Sequence, residues 1–251
     1  MLKDGKNYKY KNLEYTNKTN FVFFVDHASN KLPRGVDLGV DKENMKRHVA
    51  YDIGIEKVSE FVADELKAPL IKSKYSRLFV DCNRFEDEDG IIPHLSDDVY
   101  VKANEELTDD ERQKRIADYH ESYHKGGDDL IEESNKDAWI INMHSFTPKL
   151  NSLPDDERPW EIALIWRHNE KLVKKFIEIL EKNTKYTIGN NQPYDEIEST
   201  TYSMERRMVD NPERNSLIIE IRQDLIADDK GAKKIAGVIA KNLKQLFKEC
   251  N

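Results

Sequence analysis

Three short runs constrain the fold of this chain more than anything else in it: FVFFV at 21–25, AWIINM at 138–143 and SLIIEI at 216–221. Each is rich in Val, Ile, Phe or Leu and is bounded by polar or turn residues. Such a run is a strand buried on both faces, the pattern of a parallel sheet covered by helices on each side. It cannot be the half-wetted alternation of an open antiparallel sheet. The runs are conspicuous because the rest of the chain is so polar, with 35% charged residues and a mean hydropathy of -0.80. Helices that carry dense Lys/Glu outer faces around a buried sheet account for that balance.

The segments between the runs supply the helices. Over 42–66, Val49, Ile53, Val58, Phe61, Val62 and Leu66 recur at roughly helical spacing, and the Ala68-Pro69 step ends the pattern. LIK and RLFVD then read as two short strands. Thr108 with Glu111 three residues on forms a capping box that opens a polar helix to about Asn135. EIALIW is a strand, Leu172 to Leu180 an amphipathic helix, and Ile235 to Leu246 marks a closing helix. Residues 1–20 lack periodicity and read as an arm on the body, and 84–104 as a long irregular acidic loop. The succession predicts a single α/β domain over 1–251, a three-layer αβα sandwich around a mainly parallel, mixed sheet.

Chemistry collects at the strand ends. His27 follows FVFFV, His144 follows AWIINM, and Glu220 sits inside SLIIEI; Asp52 lies in HVAYDIG on the first long helix. Ligands of open α/β sheets bind beyond the carboxyl ends of the strands. Two histidines and a carboxylate are a common ligand set for catalytic zinc, and a further carboxylate can serve as general base. A carboxylate in so apolar a strand as that of Glu220 needs an ion pair or a task.

A resemblance sharpens this reading. DHASNKLP, HVAYDIG, YSRLFVDCNR, MHSFTP with RPWEIAL, NNQPYD and IEIRQDLI, in this order, resemble the N-formylglutamate amidohydrolase family. The resemblance implies a fold similar to zinc carboxypeptidases and metal-dependent hydrolysis of an amide. By position it implies His27, Asp52 and His144 as ligands of one Zn2+ and Glu220 as the base, with Asp26 the alternative carboxylate ligand. Asn30 stands where carboxypeptidase-like sites carry a ligand Glu. Arg77, Asn83, Arg84, Arg222, Asn30 and Ser145 are the candidate substrate contacts, since a guanidinium fork suits the carboxylates of N-formylglutamate or another N-acyl amino acid. About half of the arginines are expected to pair within the protein instead. Ser145 and Thr147 are expected to brace the loop at His144, Trp160 and Tyr194 to wall the site, and His48 to assist a ligand.

Two other readings compete. His120, Glu121 and His124 spell HESYH, a match to the HExxH zinc-protease signature. The surrounding helix, charged on nearly every side, lacks the buried face that such an enzyme needs, and His124 could instead reach the pocket. The chain could also be a non-catalytic binding protein on the same fold. A net charge of -8 argues against nucleic acid, two cysteines against a disulfide framework, and the absence of a long apolar run against a membrane span. A cytoplasmic protein is the expectation.

Overall fold

Five buried side chains in succession at Phe21–Val25 need cover from both sides, and the computed structural model of the protein provides it. The structure describes residues 2–153, 155, 157–194, 201–209 and 211–251. In chain order the strands are β1 (Tyr8–Lys11), β2 (Phe21–Val25), β3 (Leu70–Ser73), β4 (Leu95–Ser96), β5 (Val99–Tyr100), β6 (Trp139–Phe146), β7 (Ile162–Ile165), β8 (Ile188–Asn190) and β9 (Ser216–Arg222). The α-helices are α1 (Ile55–Leu66), α2 (Lys102–Glu105), α3 (Asp109–Arg115), α4 (Ser122–Glu132), α5 (Glu170–Asn183), α6 (Tyr202–Val209) and α7 (Asp229–Cys250).

Seven strands form one mixed sheet in the order β1-β3-β2-β6-β9-β7-β8, and β4 with β5 makes a separate hairpin. The strands β3, β2, β6 and β9 run parallel, β1 is antiparallel to β3, and β7 is antiparallel to β9. Alternation along the strands sorts the two faces. Phe21, Phe23, Val25, Ile141, Met143 and Ile219 pack under α1, α5 and α7. Val22, Phe24, Ile140 and Ile218 pack against Tyr123 and Leu130 of α4 and Met204 and Met208 of α6. The three-layer α/β sandwich anticipated from the sequence is what is observed. Among the described residues no helix is long and apolar enough to cross a membrane.

Several local expectations are corrected. The helix expected over 42–66 starts only at Ile55. Gly54 before it adopts φ 80°, and the Asp52 amide donates to the His27 carbonyl at 2.9 Å, so 47–54 folds back toward the sheet instead of continuing a helix. RLFVD is not a strand: the Phe79 and Val80 amides both donate to the Ser76 carbonyl, a tight turn. Its side chains Leu78, Phe79 and Val80 fill a third apolar cluster with Leu38, Val49, Ile91 and Ile116. The arm is not merely laid on the body, because Tyr8–Lys11 extends the sheet at its edge. The segment 84–104 contains the β4–β5 hairpin and the start of α2. β8 and α6 were not anticipated.

The capping box at Thr108 and Glu111 is present. The helix it opens passes through a π-helical stretch, Ile116–Glu121, before α4. This helix is not charged on every side, since His120, Tyr123, His124, Gly126 and Gly127 are buried.

Candidate active site and metal centre

The sheet explains how residues far apart in sequence meet. β2, β6 and β9 are adjacent and parallel, so their carboxyl ends open on one edge. His144 and Glu220 are directly paired across β6 and β9, and both occupy positions on the α4/α6 face. His27 follows the end of β2, while the turn at Gly54 brings Asp52 over the same edge.

The side chains converge on Asp52. Its Oδ2 lies 3.0 Å from His144 Nδ1 and 3.7 Å from His27 Nδ1, and ligand atoms of the three residues all fall within 4.8 Å of one another. Its Oδ1 pairs with the Arg77 guanidinium. The Ser145 amide donates to Oδ2 at 3.0 Å, and the Ser145 hydroxyl donates to the Ile53 carbonyl, also at 3.0 Å.

Each histidine has a second carboxylate at its far nitrogen. His27 Nε2 donates to Asp81 Oδ1 at 2.7 Å, and His144 Nε2 lies 3.3 Å from Asp26 Oδ2. Asp26 is itself held by Tyr123 Oη at 2.6 Å, Asn142 Nδ2 at 2.7 Å and Ser203 Oγ at 2.9 Å. Carboxylates on the outer nitrogens fix tautomer and ring direction in metal-binding histidines. Asp26, the alternative ligand of the sequence reading, thus faces the far side of His144.

The residues fit a divalent metal. His27 Nδ1 is buried with no hydrogen-bond partner; because its Nε2–H is committed to Asp81, its lone pair points at Asp52 and His144. A pair of imidazole nitrogens and a carboxylate oxygen is a donor set for Zn2+ and related ions. Glu220 Oε2 is also buried and unpartnered.

Protonation follows burial and neighbours. Burial, with Arg77 nearby, pushes the His27 imidazole down to about 4. For His144, burial acts downward but is outweighed by Asp26 and Glu220, so its pKa rises. Burial raises Glu220 above the usual carboxylate range despite the opposing charges of His144 and Arg77. Asp81 resists burial and stays well below that range because of His27 and Arg77.

An open cleft with a cavity volume of about 150 Å³ exposes this cluster. His27, His48, Asp52, Arg77, Asp81, Asn83, Arg84, His144, Ser145, Tyr194 and Glu220 are among the residues that line it.

The N-formylglutamate amidohydrolase family model matches residues 19–227. The chain belongs to that family. Two of the solved structures that share its fold illustrate the likeness. A gene product of Agrobacterium tumefaciens is 24% identical, covers 98% of this chain and 96% of its own, and superposes with a TM-score of 0.89. An N-formylglutamate amidohydrolase from Ralstonia eutropha JMP134 is 20% identical over 96% of this chain and 97% of its own, with a TM-score of 0.71. No curated protein matches the sequence.

The structure brings together His27, Asp52, His144, Glu220, Arg77, Asn83, Arg84 and Ser145. It does not bring in two residues expected to contact substrate. Arg222 binds Asp224 at 2.7 and 3.2 Å and three backbone carbonyls, a structural pairing outside the cleft. Asn30 donates to the Met45 carbonyl at 2.8 Å. Asp52 is in a turn ahead of α1, not on a helix. Tyr194 does wall the cleft, whereas Trp160 lies against Gly189; Asp195, at the end of the NNQPYD motif, lies outside the described residues. His48, one of the lining residues, has Nδ1 3.7 Å from Asp52 Oδ1, and Thr147 accepts Gln223 and donates to the Lys149 carbonyl. His94 is exposed, and His168 pairs with Glu205 at 2.9 Å.

Sequence reading missed the roles of Asp81 and Asp26 as partners of the histidines. The pairing of an Asp next to His27 and another in LFVDCNR was visible, but nothing in spacing says which nitrogen they meet. The HESYH histidines are not offered as a ligand pair. His120 Nε2 donates to the Arg84 carbonyl at 3.0 Å and His124 Nε2 to the Cys82 carbonyl at 2.8 Å, so the usual ligating nitrogens of that motif are committed to backbone. His124 is not among the residues that line the cleft.

Proposed function

We propose that the protein hydrolyses the amide of an N-acylated amino acid, with N-formyl-L-glutamate the foremost candidate and formate and L-glutamate the products. In this reading His27, Asp52 and His144 hold one Zn2+ or a similar divalent ion. The observation that carries it is the pair of buried, unpartnered atoms, His27 Nδ1 and Glu220 Oε2, beside the His27–Asp52–His144 cluster. Family membership supports the reaction class.

A divalent ion at such a site supplies a Lewis acid for the amide carbonyl and lowers the pKa of a water. The chain supplies the rest. Glu220, whose pKa burial raises above the ordinary carboxylate value, accepts a proton as water adds to the amide carbon, then returns it to the amine nitrogen as the C–N bond breaks. Asp81 and Asp26 keep the two imidazoles in place through Nε2, and Arg77 and the Ser145 amide hold Asp52. Arg84, whose side chain is 48% exposed and only loosely paired with Glu88 at 3.5 Å, is the cleft cation best placed to receive a substrate carboxylate. Arg77 is occupied by Asp52 and acts on substrate through its charge.

The test is formate release from N-formyl-L-glutamate by zinc-loaded protein, with N-acetyl-L-glutamate and N-formyl-L-alanine alongside. Formate release that is abolished by a chelator and restored by Zn2+ supports the proposal. No hydrolysis of any of the three by protein with stoichiometric metal overturns it.

A further inference from the structure

The HESYH segment leaves a question that the cleft does not absorb. His120 is completely buried. Its Nε2 faces the Arg84 carbonyl, which can only accept, so Nε2 carries the hydrogen and a neutral ring has a lone pair on Nδ1. That Nδ1 points at Glu121 Oε1, 3.4 Å away. Both atoms are buried and neither has a hydrogen-bond partner. Two acceptors facing each other at that distance, away from water, repel unless a cation lies between or beside them.

Glu86 completes the group. Ligand atoms of Glu86, His120 and Glu121 all lie within 4.8 Å of one another. Contact with Glu121 raises the Glu86 pKa, the response of two carboxylates crowded without enough positive charge. The nearby cation does not meet the need. Arg206 lies 3.6 Å from the other oxygen of Glu121, Oε2, and is shared with Asp128 at 3.1 Å and with Tyr202.

We propose that Glu86, His120 and Glu121 form a binding site for a divalent transition-metal ion, separate from the His27–Asp52–His144 cluster. One imidazole nitrogen and two carboxylates suit Zn2+, Mn2+ or Co2+ better than Ca2+ or Mg2+, which prefer oxygen alone. The backbone carbonyl on the outer nitrogen of His120 is the usual brace of a ligating histidine. The ligands sit where the helix takes its π-helical turn, Ile116–Glu121, a distortion often found at functional sites. An ion here ties the loop that carries Glu86, and next to it the cleft residue Arg84, to the helix.

Zinc content after dialysis against excess Zn2+ tests this directly. The Glu86→Gln/Glu121→Gln protein is expected to hold one zinc ion per chain fewer than wild type, and His27→Ala is expected to retain that ion. Glu86→Gln alone, on an exposed side chain, is expected to weaken that ion's binding at least tenfold by isothermal titration. Equal zinc content and equal affinity in wild type and the Glu86→Gln protein overturn the proposal. Loss of the same ion in His27→Ala overturns it as well, because the ion then belongs to the cleft.

Discussion

Asp26 provides a stringent test of how the site is held. Its Oδ1 accepts from Tyr123 and Ser203, and its Oδ2 accepts from Asn142 and faces His144 Nε2. Asp26→Asn keeps the shape and removes the charge. The amide must turn its NH2 toward the two hydroxyls, which can rotate to accept, so that its carbonyl still faces Asn142 and His144. Four contacts survive in neutral form, and replacing charge-assisted bonds with neutral ones costs of order 1–3 kcal/mol of stability. The effect on the metal is the sharper readout. Outer carboxylate partners of ligating histidines contribute about 10–100-fold to affinity, or about 1.4–2.8 kcal/mol. Zinc affinity is therefore expected to fall by that factor, measured by competition with a chromophoric chelator at pH 8, where protons compete little. In the metal-free protein the His144 pKa, raised in part by Asp26, is expected to drop in an NMR titration. A folded Asp26→Asn protein that binds zinc within about twofold of wild type refutes the role given to Asp26.

The remaining predictions concern pH and the turn that carries Asp52. Glu220 must be deprotonated to act as base, and burial raises its pKa, so kcat/KM is expected to fall on the acid side at a pH above the ordinary carboxylate range; an acid limb near pH 4 contradicts the assignment. Because a ligand histidine must shed its proton to bind metal and the His144 pKa is raised, zinc affinity is expected to weaken as pH falls through a value above 6.5, the ordinary value for histidine, which chelator competition across pH will show. Gly54 has φ 80°, and a Cβ there would lie 2.2 Å from the Ile226 carbonyl oxygen. Gly54→Ala is expected to cost at least about 1–2 kcal/mol for the left-handed backbone alone, to lower Tm by several degrees, and to weaken zinc binding by displacing Asp52; unchanged melting by calorimetry contradicts the packing described.

What the sequence discloses and what it conceals divide along physical lines. The runs at 21–25, 138–143 and 216–221 are legible because a doubly covered strand has no polar face to blur its pattern, and their shared direction already places His27, His144 and Glu220 on one sheet edge. Helices α5 and α7 are legible from a single apolar stripe. The helix expected over 42–66 misleads because Val49, which fills the third apolar cluster, stands four residues before Ile53, a spacing that mimics a helix. RLFVD misleads in the same way. The buried face of the π-helical stretch and α4 escapes notice because His120 and His124 satisfy it by bonds to the carbonyls of Arg84 and Cys82, while Gly126 and Gly127 let Tyr8 and Arg207 approach closely. The short β1 has alternating Tyr and Lys, but four residues with half-exposed rings give little signal. The partners of His27 and His144 are tertiary facts, since which of Asp26, Asp52 and Asp81 meets which nitrogen depends on the fold of 47–54 and 76–84.

The central claim is that Glu220 is the base beside a metal held by His27, Asp52 and His144, and Glu220→Gln tests it most directly. The substitution preserves volume in a buried strand position and leaves all three ligand residues untouched. With zinc content equal to that of wild type, formate release from N-formyl-L-glutamate is expected to fall by about 10²–10⁴-fold. Turnover within a few-fold of wild type at full zinc occupancy contradicts the account.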